Sequence, residues 1–372
     1  MRIDLEETGG IFPHISSVHP TEAIMSDLSG FDPNSVGNPN NNIFGLPFSE
    51  TDAQLVIVPV PWEVTVSSSA GTARASEQVF KASLQVDIFD LDTPDAWKKG
   101  FYMRPIDRKL LLKSDFLRKE AELFIDFISR GEDIKANRFM CKSIKDINEG
   151  SDFMNGWVYE QTSDLLKAGK QVGLLGGDHS TSLGYWKAQA EQHESFGILQ
   201  IDAHCDLRPS YEFFKYSHAS VVYNGLEEIP QLEKVVQIGV RDFSQGEWEY
   251  LQQHKNRIHC FFDRDLKRRR FEGDNWQQVC DDIIAQLPQK VHLSYDIDGL
   301  NPKLCPRTGT PVDGGFESEE IIYLLRRLLA SGRQLIGFDL VEIGIGESGW
   351  DANVGARQLW KICNMMVSQP KA

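Results

Sequence analysis

Phe196-Gly197-Ile198-Leu199-Gln200-Ile201 runs directly into Asp202-Ala203-His204-Cys205-Asp206. The first six residues read as a short apolar strand buried on both faces, and the next five alternate acid, small residue, imidazole, thiol and acid. In extended chain, residues two apart point the same way at about 6.5 Å. Asp202, His204 and Asp206 can therefore converge on one point, while Cys205 faces the other way and is not counted as a ligand.

The same alternation of strand and helix extends in both directions. Strands are expected at Leu55-Val56-Ile57-Val58, Gln85 to Phe89, Val172 to Leu175, Val235 to Val240, Ile258 to Phe262, Val291 to Tyr295 and Leu335 to Leu340. Residues 107–168 read as helical, with apolar positions three and four apart at Leu117, Leu123, Phe124 and Phe127. Further helices are expected over Thr181–Gln192, Asn275–Leu287, Glu319–Ala330 and Val354–Val367. Strands that alternate with helices pair in parallel through right-handed crossovers. The expected fold class is therefore α/β, a three-layer architecture with a mainly parallel central sheet and helices on both faces. In such folds ligands bind outside the carboxyl ends of the strands.

Two more clusters sit on that rim. Gly176-Gly177-Asp178-His179-Ser180 follows Leu174-Leu175, and Asp296-Ile297-Asp298 follows Val291 to Tyr295. Together the three clusters offer four carboxylates and two imidazoles: Asp202, Asp206, Asp296, Asp298, His179 and His204. Six such groups over-supply one ion. Two ions about 3.5–4 Å apart need bridging carboxylates, a role suited to Asp202 and Asp296. Oxygen and imidazole donors without a thiolate chelate favour Mn²⁺ over a structural zinc site. A calcium loop over Asp202–Asp206 is disfavoured by Leu207, where that loop requires glycine.

The 372 residues carry 39 basic and 54 acidic side chains, a formal charge of −15. That field repels phosphate backbones and anionic lipid and suits a small cationic substrate or a metal ion. No run approaches a membrane-spanning length, the N-terminus lacks signal-peptide order, and the six cysteines are scattered, so a cytoplasmic location is expected. Residues 1–50, rich in Asn, Pro and Gly between Phe31 and Asn42, read as an N-terminal extension that wraps the domain or contacts another subunit. Residues 51–372 read as a single catalytic domain. The basic run Arg264 to Arg270 reads as a solvated loop.

Gly-Gly-Asp-His-Ser at 176–180, Ile-Asp-Ala-His-Cys-Asp at 201–206 and Ser-Tyr-Asp-Ile-Asp at 294–298 resemble the three signature motifs of the ureohydrolases, the arginase/agmatinase family. Thr308-Gly309-Thr310-Pro311 with Gly314-Gly315, and Asp339-Leu340-Val341-Glu342, resemble two further segments. The resemblance spans about residues 52–368 and does not reach the first fifty.

It implies an arginase-like sheet of about eight strands, two Mn²⁺ per subunit with Ni²⁺ in some relatives, and a homotrimer or homohexamer. One ion would take His179, Asp202, Asp206 and Asp296, and the other His204, Asp202, Asp296 and Asp298. Asp206 would also hold the attacking solvent, His218 would shuttle a proton, and Glu342 would grip the guanidinium group. The implied reaction cleaves a guanidinium compound to urea and an amine.

The loop Leu207 to His218 looks like the agmatinase version, and Glu212 nearby would favour a cationic tail, so agmatine giving putrescine is the first expectation. Free guanidine or 4-guanidinobutyrate comes next, because Trp62, Tyr211, Phe213 and Phe214 could shorten the pocket. Arginase, formiminoglutamase and one-zinc deacetylase chemistry stand behind these. Two departures from the family pattern are Asn301 before Pro302, where Asp is common, and Ala73-Arg74 after Gly71-Thr72. Trp62-Glu63-Val64-Thr65 is expected either to line the substrate entrance or simply to pack.

Overall fold

The structure, a computed structural model, describes residues 28–370. Its eight strands are β1 (Leu55–Pro59), β2 (Phe101–Met103), β3 (Gln171–Leu175), β4 (Phe196–Ile201), β5 (Leu232–Ile238), β6 (Ile258–Phe261), β7 (Lys290–Asp296) and β8 (Gln334–Val341). They form one sheet in the order β2-β1-β3-β8-β7-β4-β5-β6, and every pairing is parallel. The expected α/β architecture is thus observed, with the sheet wholly rather than mainly parallel.

Among the described residues, ten α-helices accompany it. They are α1 (Ala75–Ser83), α2 (Arg108–Ser129), α3 (Arg138–Lys167), α4 (Leu183–Gln192), α5 (Val221–Glu228), α6 (Gln245–Gln253), α7 (Asp263–Phe271), α8 (Trp276–Ala285), α9 (Ser318–Ala330) and α10 (Trp350–Ser368). Strand β1 shows why both faces of the sheet are covered. Leu55 and Ile57 face the layer of α1, α8, α9 and α10, while Val56 and Val58 face that of α2, α3 and α4. With side chains alternating across a strand, a run apolar at every position is stable only when both faces are covered. No helix among the described residues is long and apolar enough to cross a membrane.

Two sequence expectations are corrected and a third is refined. Gln85 to Phe89 is not a strand: Ile88 is buried while Phe89 is exposed, but the segment finds no pairing neighbour. The edge is occupied by the shorter Phe101-Tyr102-Met103, which pairs with Leu55 to Ile57. Residues 107–168 are helical as expected, in two helices separated at Gly131 (φ 73°) and restarted by the Asn137 cap on Phe139 and Met140. Arg264 to Arg270 lies in helix α7, with Asp263 and Asp265 in its first turn and three arginines in its last. That distribution complements the helix dipole, which a reading of charge alone overlooks.

Residues 1–27 of the expected extension lie outside the described residues. Within the remainder, Ile43, Phe44, Leu46 and Phe48 are buried, and Phe44 meets Trp360 edge-on at 4.8 Å.

Candidate metal centre

Strands β3, β8, β7 and β4 are consecutive neighbours in the sheet. Parallel strands spaced about 4.8 Å apart bring the segments leaving their carboxyl ends side by side. At β3, Gly177 passes so close to Trp62 that a Cβ would overlap the Trp62 carbonyl oxygen. The Asp178 amide donates to that same oxygen at 2.9 Å, and His179 follows in a 3-10 turn. At β7, Asp296 Oδ1 accepts the Asp298 amide at 2.8 Å, and Asp298 Oδ1 accepts the Ala203 amide at 2.9 Å. The second and third clusters are therefore fastened to each other.

The free donor atoms converge in two groups. His179 Nδ1 lies 3.1 Å from Asp202 Oδ2, 2.9 Å from Asp206 Oδ2 and 3.5 Å from Asp296 Oδ2. His204 Nδ1 lies 3.0 Å from Asp298 Oδ2 and 3.5 Å from Asp202 Oδ1. Asp202, fully buried, presents one oxygen to each group. Asp296 stands beside the first group, its other oxygen engaged by the Asp298 amide. Cys205 is buried away from both, among Leu183, Trp186 and Val221.

The donor set fits divalent cations, and one hydrogen-bond chain shows why. Trp186 Nε1 and His292 Nε2 reach Asp339 Oδ2 at 2.9 and 2.8 Å, and Ser294 Oγ donates to Asp339 Oδ1 at 2.8 Å. With its hydrogen so committed, Ser294 Oγ accepts from His179 Nε2 at 2.9 Å. This leaves the Nδ1 lone pair aimed at three carboxylate oxygens, an arrangement that requires a cation or a proton between them. Burial opposes charge on the imidazole, but Asp202, Asp206 and Asp296 outweigh it and hold the His179 pKa well above its usual value. Burial, then the Asp202 charge, pushes Asp206 up to about 7, while burial and Asp298 push Asp296 well above the carboxylate range. Among the described residues no Lys or Arg side chain forms an ion pair with any of the four carboxylates. Asp339→Asn should weaken metal binding about 10–100-fold, since an amide would reorganise this chain. Calorimetric titration of the metal-free protein measures it, and unchanged affinity would refute the orienting role.

Glu342, at the end of β8, holds a left-handed backbone (φ 60°), as does Asp206 (φ 53°). Such strain in non-glycine residues persists where surrounding contacts enforce it. Here the Glu342 amide donates to Gly177 O at 2.8 Å, and its Oε1 accepts the His179 amide at 2.9 Å. Oε2 is buried and has no hydrogen-bond partner, which leaves it available to a cationic group. A Cβ on Gly309 would stand only 3.0 Å from that oxygen, so glycine keeps the approach open. Burial, then Asp178, raises the Glu342 pKa, and an adjacent cation would restore its charge.

The His218 backbone amide donates to Thr65 Oγ1 at 3.1 Å, and the ring stands edge-on to Tyr211 at 6.1 Å. Burial, reinforced by His204, pushes its pKa down to about 3, so the ring is neutral at pH 7. A cleft of about 140 Å³ opens over the centre, lined by His204, Asp206, Tyr211, His218, Asp242 and Thr310, among others. A larger cavity, about 340 Å³, lies at the amino-terminal end of β8 and touches none of these groups.

Several substrate-pocket expectations shift. Trp62 and Phe214 are fully buried in the core and Phe213 packs on Phe124, so only Tyr211 of the four aromatics lines the cleft. Glu63 does not line it either: its carboxylate accepts from the amides of Gly71 and Ala73 and organises that loop. Glu212 is likewise outside the lining. Besides Asp206 of the donor set, the acidic groups there are Glu247, engaged by the Leu207 amide and Arg208, and the exposed Asp242. Asp242 escaped notice in the sequence, although it follows β5 on the same rim as the other clusters. Asn301 caps a turn by accepting the Lys303 amide and holds no place among the donors.

The sequence model of the Arginase family matches residues 53–345. An N(1)-aminopropylagmatine ureohydrolase of Synechocystis sp. is 29% identical over 303 residues, covering 79% of this chain and 83% of that protein. One from Thermus thermophilus is 26% identical over 292 residues, covering 78% and 83%. The agmatine ureohydrolase of Thermoplasma volcanium has a similar fold, with TM-score 0.63 at 21% identity over 85% of this chain and 90% of that one.

Proposed function

Because this chain belongs to the arginase family, and is a metal-dependent ureohydrolase, we propose that its substrate is a guanidinium compound with a cationic amine tail, agmatine or N1-aminopropylagmatine. The observation that carries this reading is the charge of the cleft. Asp242 is an exposed carboxylate on its wall, while Arg208, the basic residue there, is engaged by Glu247 at 3.5 Å. An ammonium tail meets complementary charge at Asp242, whereas an α-carboxylate or a guanidino-acid meets repulsion. The names of the two ureohydrolase relatives support the same substrate class.

His179, Asp202, Asp206, Asp296, His204 and Asp298 would hold two divalent ions, with Mn²⁺ favoured by the donor chemistry and Ni²⁺ the alternative. The chemistry such ions supply is the acidification of water toward neutral pH. The chain's own residues do the rest. Glu342 Oε2 grips the guanidinium through charge-assisted hydrogen bonds and orients its central carbon toward the carboxylate cluster. Asp206 would take the proton shed by the attacking water, and His218, neutral and low in pKa, would relay it to the amine nitrogen as that nitrogen's bond to the guanidinium carbon breaks. Thr65 fixes the His218 backbone, and Tyr211 stands edge-on to the ring.

A urea-release assay with Mn²⁺ or Ni²⁺ tests the assignment across agmatine, N1-aminopropylagmatine, arginine, 4-guanidinobutyrate, formiminoglutamate and free guanidine. The amine-tailed pair should give the highest kcat/KM. Faster turnover of a carboxylate-bearing substrate or of guanidine itself would overturn it.

A further inference from the structure

Arg241 follows β5, one residue before the cleft's Asp242, and has no place in the donor set. Its side chain nevertheless makes five hydrogen bonds, all to backbone carbonyls. Nη2 reaches Asp298 O at 2.7 Å, Val312 O at 3.0 Å and Leu300 O at 3.2 Å; Nη1 reaches Gly239 O at 3.0 Å, and Nε reaches Val312 O at 3.3 Å. Its own amide donates to Ala203 O at 2.8 Å, between Asp202 and His204. Gly314, at φ 108°, crosses over this side chain, where a Cβ would come within 3.1 Å of Arg241 Cδ.

We propose that Arg241 is a positioning residue: its planar fork gathers the ends of β5 and β7 and the 308–315 loop, and so sets where the Asp298 carboxylate stands against His204 and Asp202. Three segments distant in sequence meet at one guanidinium. Asp298 has its carbonyl held by Arg241 and its carboxylate held by the Ala203 amide, on either side of the oxygen offered to His204. Thr310 Oγ1, 3.5 Å from Asp298 Oδ2, lies in the loop that Arg241 anchors through Val312. A lysine keeps the charge but has no planar set of five donors, and cannot satisfy four carbonyls at once. The His179 group takes its orientation from Ser294 and Asp339 and has no contact with Arg241. The two groups share Asp202, and Asp298 also holds Asp296, so the larger effect falls on the His204 group, whose Asp298 Arg241 holds directly.

This rests on the reading of Asp202, His204 and Asp298 as one of two ion sites. The test strips the full-length chain of metal with a chelator and titrates it with Mn²⁺ in a calorimeter, comparing wild type, Arg241→Lys and Arg241→Ala. Arg241→Lys should bind one ion about 10–100-fold more weakly and the other with a smaller loss, with Arg241→Ala losing at least as much where it folds. Unchanged binding of both ions by Arg241→Lys would overturn the proposal. So would equal weakening of both together with a lower unfolding temperature, which marks a merely structural residue. A wild-type stoichiometry other than two overturns the underlying two-ion reading instead, before any variant is compared.

Discussion

Asp202→Ala is expected to reduce urea release at least ~10³-fold, about 4 kcal/mol of barrier, and to strip the purified protein of most of its metal. The reason is geometric. Asp202 gives Oδ2 to the His179 group and Oδ1 to the His204 group, so one truncation removes a donor from both. For the fold, two effects oppose each other. Truncation leaves the His204 amide and Gln200 Nε2 without their acceptor, each at a cost of about 1–3 kcal/mol. Against that, it removes a buried negative charge that helps to raise the pKa of Asp206 and Asp296. Metal content by elemental analysis, urea release and thermal unfolding of the metal-free chain separate these effects. Wild-type metal content and turnover in the variant would reject the shared-ligand assignment.

Glu342→Gln should lower kcat/KM for the preferred substrate about 10–100-fold while leaving the metal content intact, as expected for loss of a charge-assisted hydrogen bond worth about 1.5–3 kcal/mol. Glutamine is nearly isosteric and its amide oxygen can still accept the His179 amide, so the strained turn at Glu342 has no reason to relax. What disappears is the negative charge on the buried, unpartnered Oε2. Steady-state kinetics alongside metal analysis distinguish the outcomes. A variant with unchanged kcat/KM would remove Glu342 from guanidinium recognition, and one that loses its ions would make it a support of the metal centre instead.

Much of this centre was legible before any coordinates, because the pattern is local. A strand apolar at every position, followed by acids and imidazoles at alternate residues, states both that the strand is covered on two faces and that the donors leave it on one side. The rim rule for parallel sheets then placed three clusters at the same end. Applied to β5 as well, it would have found Asp242. Pocket shape was read less well: four aromatics near the motifs suggested a shortened cleft, yet Trp62 and Phe214 are core residues and Phe213 packs on α2. Hydrophobicity favours cover for a ring without naming the surface that supplies it, and Phe213 stays largely exposed.

The chain on its own determined the class of fold, the end of the sheet where chemistry gathers, and the types of donor brought there, since each follows from residue spacing over a few positions. Only the tertiary structure decided that β3, β8, β7 and β4 lie side by side, which joins His179 to Glu342 across 163 positions. It also decided that Ser294 and Asp339 direct the His179 lone pair inward, that Phe101 to Met103 rather than Gln85 to Phe89 forms the edge, and that Arg241 fastens three segments. These are pairings between distant groups. A backbone hydrogen bond or a buried charge is satisfied by whichever partner the packing delivers, and spacing along the chain does not name that partner.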